Sequence, residues 1–339
     1  MLVLVGVAAG NPTWIQAATP RLSLSADEDI VITRSQSGQT VKRRGTITQW
    51  LGQSITLQTN TRERIIDAAD LVEFQTTWPD GYDQGESLID ARQFAQAIEP
   101  LNRALKSEAR PWARRIILSR LIVCHQAMGD FEPATDAFLK ISEEDPNHRF
   151  FHLIPLPWTS TLGNSTQIRR ANQWIDSESV IEQLFGAAWL IGSDRQRAVA
   201  RLKQLEQQEH REVAALARAQ RWRIESVAAD LKTVERWTSQ IRTMPRCVRP
   251  GALLMLADAQ ARQGQTDAAA INLIRIVELY PEQYELNSVA LYRCGDLRHN
   301  AGHPDQAKTL WSEIVARYPR SVWAQQAADK LDNLNHLDP

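Results

Sequence analysis

Gly264-Gln265-Thr266-Asp267-Ala268-Ala269, inside the stretch Pro250–Gln283, and Gly302-His303-Pro304-Asp305-Gln306-Ala307, inside Ser288–Ser321, decide how this chain folds. Each stretch is 34 residues long. A Gly closes a first helical run (Gly264, Gly302), an Ala follows five positions on (Ala269, Ala307), and a Tyr-Pro ends the unit (Tyr280-Pro281, Tyr318-Pro319). Every landmark recurs at an offset of 38. Glycine takes φ > 0 readily and so ends the first helix; proline stops the second. Ala257 and Gly295 on the first helix are expected to face Ala269 and Ala307 on the second, which lets the two axes approach closely. The reading is a repeated pair of antiparallel helices, a unit that buries its apolar face by stacking on copies of itself.

Outward from this pair, more copies emerge. Arg115–His148 holds Gly129, Ala134 and Pro146 at the same gaps. Phe94 and Ala97 precede Phe131 and Ala134 by 37 positions, which places a unit at Trp78–Pro111. Gly186 and Ala198 stand as Gly295 and Ala307 do, so Ser179–Glu212 reads as a degenerate unit. Val213–Cys247 reads as two further helices with Trp222 and Trp237 in the core. Ala324, Ala327, Ala328, Leu331 and Leu334 fall at helical spacing among polar residues, the pattern of a terminal cap.

These units resemble tetratricopeptide repeats. The packing roles of that family fall to Leu253, Leu256, Ala257, Gly264, Ala269, Leu273 and Pro281, then to Leu291, Cys294, Gly295, Gly302, Ala307, Trp311 and Pro319. The aromatic that the family places late in the first helix is replaced by Gln260 and Arg298. The resemblance implies a mainly α fold: a right-handed superhelix of about six antiparallel helix pairs and a cap. It also implies a groove lined by first helices that takes a protein or peptide. On that groove it places Leu254, Asp258 and Ala261, then Val289, Tyr292, Asp296 and His299. The family's carboxylate clamp needs Lys and Asn where this chain has Leu254 and Asp258, or Tyr292 and Asp296, so a receptor for chaperone tails is not expected.

Residues 27–77 read differently. Ile30-Val31-Ile32-Thr33, Thr40-Val41, Gly45–Leu51, Ile55–Thr59 and Leu71–Phe74 are short β-rich runs separated by turn signals. So many short strands in so few residues suggest a small bent barrel, similar to the Src-homology-3 type. Pro79-Asp80-Gly81 marks the boundary. The expected order is a leader at 1–25, the barrel at 27–77, two repeats at 78–148, an insertion at 149–178, degenerate repeats at 179–249, two repeats at 250–321 and a cap at 322–337.

Net charge is −1, from 39 Lys and Arg against 40 Asp and Glu, without the basic excess of a nucleic-acid binder. The middle is locally basic (Arg195, Arg197, Arg201, Lys203, Arg211, Arg218, Arg221, Arg223), but Glu206, Glu209, Glu212 and Glu225 interleave as on a salt-bridged face. The three cysteines are far apart and form no CxxC. The apolar start, Leu2–Gly10, is too short to span a bilayer; it fits a secretory signal of a bacterial periplasmic or secreted protein, with a buried strand in a cytoplasmic one as the alternative.

No phosphate-binding glycine loop and no GxSxG elbow occur. His148/His152 and His299/His303 have metal-like spacing, but each pair straddles a helix break, so solvated turn histidines are expected. Glu143-Glu144-Asp145 before Pro146 reads as a solvated run. Phe150–Trp158, with Pro155 and Pro157, cannot be a regular helix; it reads either as a loop packed across the solenoid or as an exposed aromatic docking patch. The expected function is a non-catalytic interaction scaffold with no cofactor and no metal. The alternative is an accessory subunit of an envelope complex, or a cell-wall-binding module that uses the barrel.

Overall fold

The computed structural model of the protein describes residues 28–35, 37–159 and 163–337, so the leader lies outside the described residues. The chain divides between Trp78 and Pro79 into two units.

The first unit is a five-stranded antiparallel sheet: β1 (Asp29–Arg34), β2 (Thr40–Leu51), β3 (Ser54–Gln58), β4 (Glu63–Asp67) and β5 (Leu71–Gln75), in the order β4-β3-β2-β1-β5. The long β2 serves both halves. Its start pairs with β1 and its end with β3, and the register slips between Ile47 and Gln49. The buried carboxylate of Asp29 accepts the Ile47 N–H there at 2.6 Å, which holds the irregular stretch. Gly45 is required where β2 passes from β1 to β3, because an added Cβ would collide with the Gln58 carbonyl. Ile30, Val31, Ile47, Trp50, Ile55, Leu57, Ile66 and Leu71 form the core. The expected barrel is not observed, because the sheet is not closed. β4 and β5 are its two ends, and the turn Ala68–Asp70 carries the chain from one to the other, capped by the Asp67 carboxylate on the Ala69 N–H.

The second unit is helical, and most of its helices form pairs: α1 (Tyr82–Asp90) with α2 (Phe94–Ser107), α3 (Pro111–Met128) with α4 (Phe131–Glu144), α6 (Val180–Leu190) with α7 (Arg195–Leu205), α8 (Arg211–Glu225) with α9 (Leu231–Ile241), α10 (Arg249–Arg262) with α11 (Thr266–Leu279), and α12 (Tyr284–Asn300) with α13 (Pro304–Arg317). α14 (Val322–Leu337) packs on α12 and α13 as the cap. A further helix, α5 (Ser165–Trp174), lies inside the stretch read as an insertion and packs on α6, where Gly186 leaves no room for a Cβ beside Ala171 and Ile175. Its start is a capping box: Asn164 accepts from the Gln167 N–H, and the Gln167 side chain accepts from the Asn164 N–H.

The landmarks do what their chemistry dictates. Gly129, Gly264 and Gly302 have φ of +76°, +74° and +81°. The N–H after each returns to a carbonyl five residues back, from Asp130 to His125, Gln265 to Gln260 and His303 to Arg298. Such a return satisfies a carbonyl that the helix end leaves open. In the first repeat the equivalent residue is Arg92, held at φ +57° by the same return bond from the Gln93 N–H to Leu88. Ala97, Ala134, Ala269 and Ala307 are all fully enclosed. The Trp311 indole fills the space beside Gly295. Gln260, in place of the family's aromatic, is buried and accepts from the Asn272 side chain at 2.7 Å. Trp222 and Trp237 stack with centroids 4.2 Å apart.

One packing contact has no counterpart in the repeat pattern. α3 lies against α12, and Phe94 meets Tyr284 edge to face with centroids 4.7 Å apart. The Arg320 guanidinium reaches the Met128 Sδ at 3.4 Å. The first repeats therefore pack against the last ones. Among the described residues no helix is long and apolar enough to cross a membrane.

Candidate functional site

Helices α3, α8 and α10 and the start of α12 gather around residues 149–159, a 3-10 turn (Arg149–Leu153) followed by extended chain. Phe151, Leu153, Ile154, Leu156 and Trp158 are buried. Trp158 lies on Gly251 of α10, where any Cβ would collide with the indole. Side chains on the surrounding helices hold the backbone. Gln126 on α3 donates to the Leu153 carbonyl at 2.6 Å, Gln220 on α8 to Pro157 at 3.2 Å and Arg223 on α8 to Thr159 at 2.8 Å. Gln283, the cap residue of α12, donates to the His152 carbonyl. The segment is a plug built into the inner side, and its aromatic residues do not form an exposed docking patch.

His148 anchors the plug. It is buried, not a solvated turn residue, and its ring stacks on Phe151 at 4.7 Å. Its Nδ1 accepts from the Phe150 N–H, and its Nε2 lies 3.0 Å from the Ser142 Oγ. Since that hydroxyl donates to the Phe138 carbonyl, the ring is assigned as neutral with the proton on Nε2. Burial pushes its pKa down to about 3, and that of His152 to about 4. The acidic run is likewise not merely solvated: Glu144 pairs with buried Arg115 at 3.0 Å, and Asp145 is buried.

Most of the residues expected on the groove are engaged within the chain. Leu254 and Val289 are fully buried and present nothing to a ligand, because they face neighbouring elements and not the groove. Asp258 on α10 pairs with Arg293 on α12. Burial raises the Asp258 carboxyl above its ordinary value, against the pull of Arg293. Asp296 pairs with Lys330 of the cap at 3.0 Å, and Tyr292 packs on Trp323 at 5.0 Å. His299 is exposed, with its ring near Trp311.

Two of these ion pairs belong to a register that is present in the sequence but hidden among its charges. Glu86 of α1 meets Arg120 of α3 at 2.9 Å in the same relation. Glu86, Asp258 and Asp296 each stand eleven positions before a landmark Ala (Ala97, Ala269, Ala307). Arg120 and Arg293 stand fourteen before the next one (Ala134, Ala307). The pairs stitch successive first helices together at one height of the repeat.

The outer side differs. The second helices α11 and α13 bound a groove of about 690 Å³, with Ala270, Ile271, Ile274 and Leu279 on one wall and Thr309 and Leu310 on the other. Ile271 and Leu279 are each 53 % exposed. Arg275, Glu278 and Arg298 supply the charge along it. Arg298 pairs with Asp267 at 3.0 Å, and that carboxylate is almost fully exposed. Residues 251–282 and 289–321, which include both walls, match the family model of the tetratricopeptide repeat. The helices of the second unit stand in an arrangement like that of such repeats. No curated protein matches the chain.

Proposed function

We propose that the protein is a non-catalytic interaction scaffold that takes its protein partner on the outer groove between α11 and α13. Tetratricopeptide repeats point to protein–protein interaction in general. The observation that carries the finer reading is the contrast within one pair of repeats: on their inner side the chain's own 149–159 segment seats Trp158 on Gly251 and is held by Gln283, while their outer side leaves an apolar groove bare. Contiguous exposed apolar surface on a folded chain marks an interaction site. The test is cross-linking mass spectrometry on complexes purified from the native host, with Ile271→Asp/Leu279→Asp as the control. The reading holds if partner cross-links cluster on α11 and α13 and the double variant loses them; it is wrong if the variant retains its partner.

A second reading has its own observation. β4 and β5 are sheet ends, and they expose Ile65 (73 %) and Val72 (43 %). Open edges with exposed β-branched residues accept an added strand. An accessory subunit or wall-binding module would bind through this sheet. Cross-links concentrated on residues 28–75, and binding lost on their deletion, would favour it.

A further inference from the structure

We infer that the α11–α13 groove takes an amphipathic helix with an apolar stripe and acidic flanks; this rests on the reading of that groove as the docking site. The groove-facing residues of α11 are Ala270, Ile271, Ile274, Arg275, Glu278 and Leu279, which recur at helical spacing over about 14 Å of axis. Two helices side by side leave a furrow along their length, and a third helix fills it by setting its ridge of side chains into that furrow. An extended strand would find no open backbone there, because both walls are helices whose N–H and C=O groups are already paired.

The charge fixes the flank. Arg275 is exposed on the α11 wall and, among the described residues, donates to the Asn272 amide oxygen at 3.1 Å. Arg298 stands at the other end, tied to a carboxylate that water reaches freely. With its acid almost wholly in water, such a pair is worth little, and the half-buried Arg298 can exchange it for a carboxylate held against the groove. Among the described residues that line the groove, Glu278 is the single acid against these two arginines. Acidic residues beside the apolar stripe are therefore favoured over basic ones.

The chain does not supply this ridge from its described residues. Its large exposed apolar side chains outside the groove are Leu51, Ile65 and Val72 on the sheet, with Val227, Leu231, Val315 and Val322 scattered over separate elements. They make no stripe along one helix, so among the described residues no face outside the groove complements it, and two copies meeting groove to groove would gather four arginines against two glutamates. The occupant is a different protein.

The experiment pans a phage-displayed library of 16-residue peptides against the full chain. Selected peptides are then titrated by fluorescence anisotropy. Expected binders carry apolar residues at i, i+3 or i+4 and i+7 with Asp or Glu beside them, and become helical on binding by circular dichroism. Replacing their acids by Lys weakens binding at least tenfold. Ile271→Asp also weakens binding at least tenfold, while Arg275→Glu shifts the preference towards Lys-flanked peptides. Selection of extended or basic sequences overturns the inference, as does binding indifferent to both variants. A chain that sediments as a dimer through this groove overturns it in favour of self-association. Native cross-links on α11 and α13, combined with failure of every helical peptide, would sink this inference alone and leave the docking site standing.

Discussion

On the inner side of the tandem repeats, Trp158 lies on Gly251 with no room for a Cβ, and Gln283 together with side chains of α3 and α8 holds carbonyls of the 149–159 segment. On the outer side of the same repeats, Ile271 and Leu279 stand half exposed over an open groove. The same helix pair supplies both faces, and a sequence pattern that identifies the pair says nothing about which face is free. On the proposed reading, the binding face of this chain lies opposite to where its repeat type leads one to look. It also divides substitutions into two groups. Those inside should cost stability; those outside should cost only a partner.

The largest effect is expected inside. Trp158→Ala removes a buried indole from a slot that α10 shapes with Gly251, and such truncations cost about 3–5 kcal/mol. Urea denaturation of the helical unit, followed by far-ultraviolet circular dichroism, measures it. A cost below about 1 kcal/mol would mean that the segment leaves the inner side readily, and the contrast between the faces would collapse.

Acid probes the same plug. His148 has a folded pKa near 3 against an ordinary value of 6.5. Between those values the unfolded chain binds a proton that the folded chain refuses, so stability falls as pH drops below about 6.5. By pH 4 the loss from this residue approaches about 3 kcal/mol. The Glu285 carboxyl, raised by burial to about 7, has the opposite sign, since the folded chain there holds the extra proton below pH 7. The clean measurement is therefore a difference. His148→Gln should be less stable than the wild type at pH 7, where it loses the Phe150 and Ser142 hydrogen bonds, and should draw level or overtake it by pH 4. Parallel stability curves would show that the ring is not held neutral.

The repeat register is legible in the sequence because its landmarks are backbone chemistry. Gly129, Gly264 and Gly302 adopt the positive φ that ends a helix, and Ala134, Ala269 and Ala307 are enclosed where helices cross. What escapes a sequence reading depends on pairing across the chain. The contact of α3 with α12 and the seating of Trp158 on Gly251 join positions far apart in sequence, and no local period encodes them. Leu254 is buried and not on the groove because a first helix surrounded by other first helices buries more than one stripe. α5 is announced only by the Asn164 and Gln167 capping box, a weak signal beside the prolines that precede it. The acids of the ion-pair register are visible too, at a fixed distance from each landmark Ala, but charges at a groove look like ligand contacts until their partners are known.

Arg92 offers a smaller test of how firmly the first repeat keeps the register. It occupies the position of Gly129, Gly264 and Gly302 with φ +57°, a conformation that costs a side-chain-bearing residue about 1 kcal/mol or more. Arg92→Gly is expected to stabilise the chain by about 0.5–1 kcal/mol, the strain relief being offset in part by glycine's greater freedom when unfolded. A raised midpoint in urea at an unchanged slope is the expected result. A loss of stability would show that the Arg92 side chain holds more than its backbone costs.

The smallest expected effect on stability is the one that bears most on the proposed function. Ile271→Ser removes a side chain that is already 53 % exposed, and Leu279→Ser does the same at the other end of the wall. With little area to re-expose and no cavity to open, each should change stability by less than about 0.5 kcal/mol. The two sites are eight residues apart on one helix, so the double variant should show the sum. If it costs about 2 kcal/mol or more at low protein concentration, the groove is covered in solution by part of the chain itself, and the outer side is packed as the inner one is. If instead the cost appears only at high concentration, a second copy covers it. A neutral double variant that has lost its partner separates the two faces as the geometry does: one side of the repeat keeps the chain folded, and the other is kept apolar at no benefit to folding.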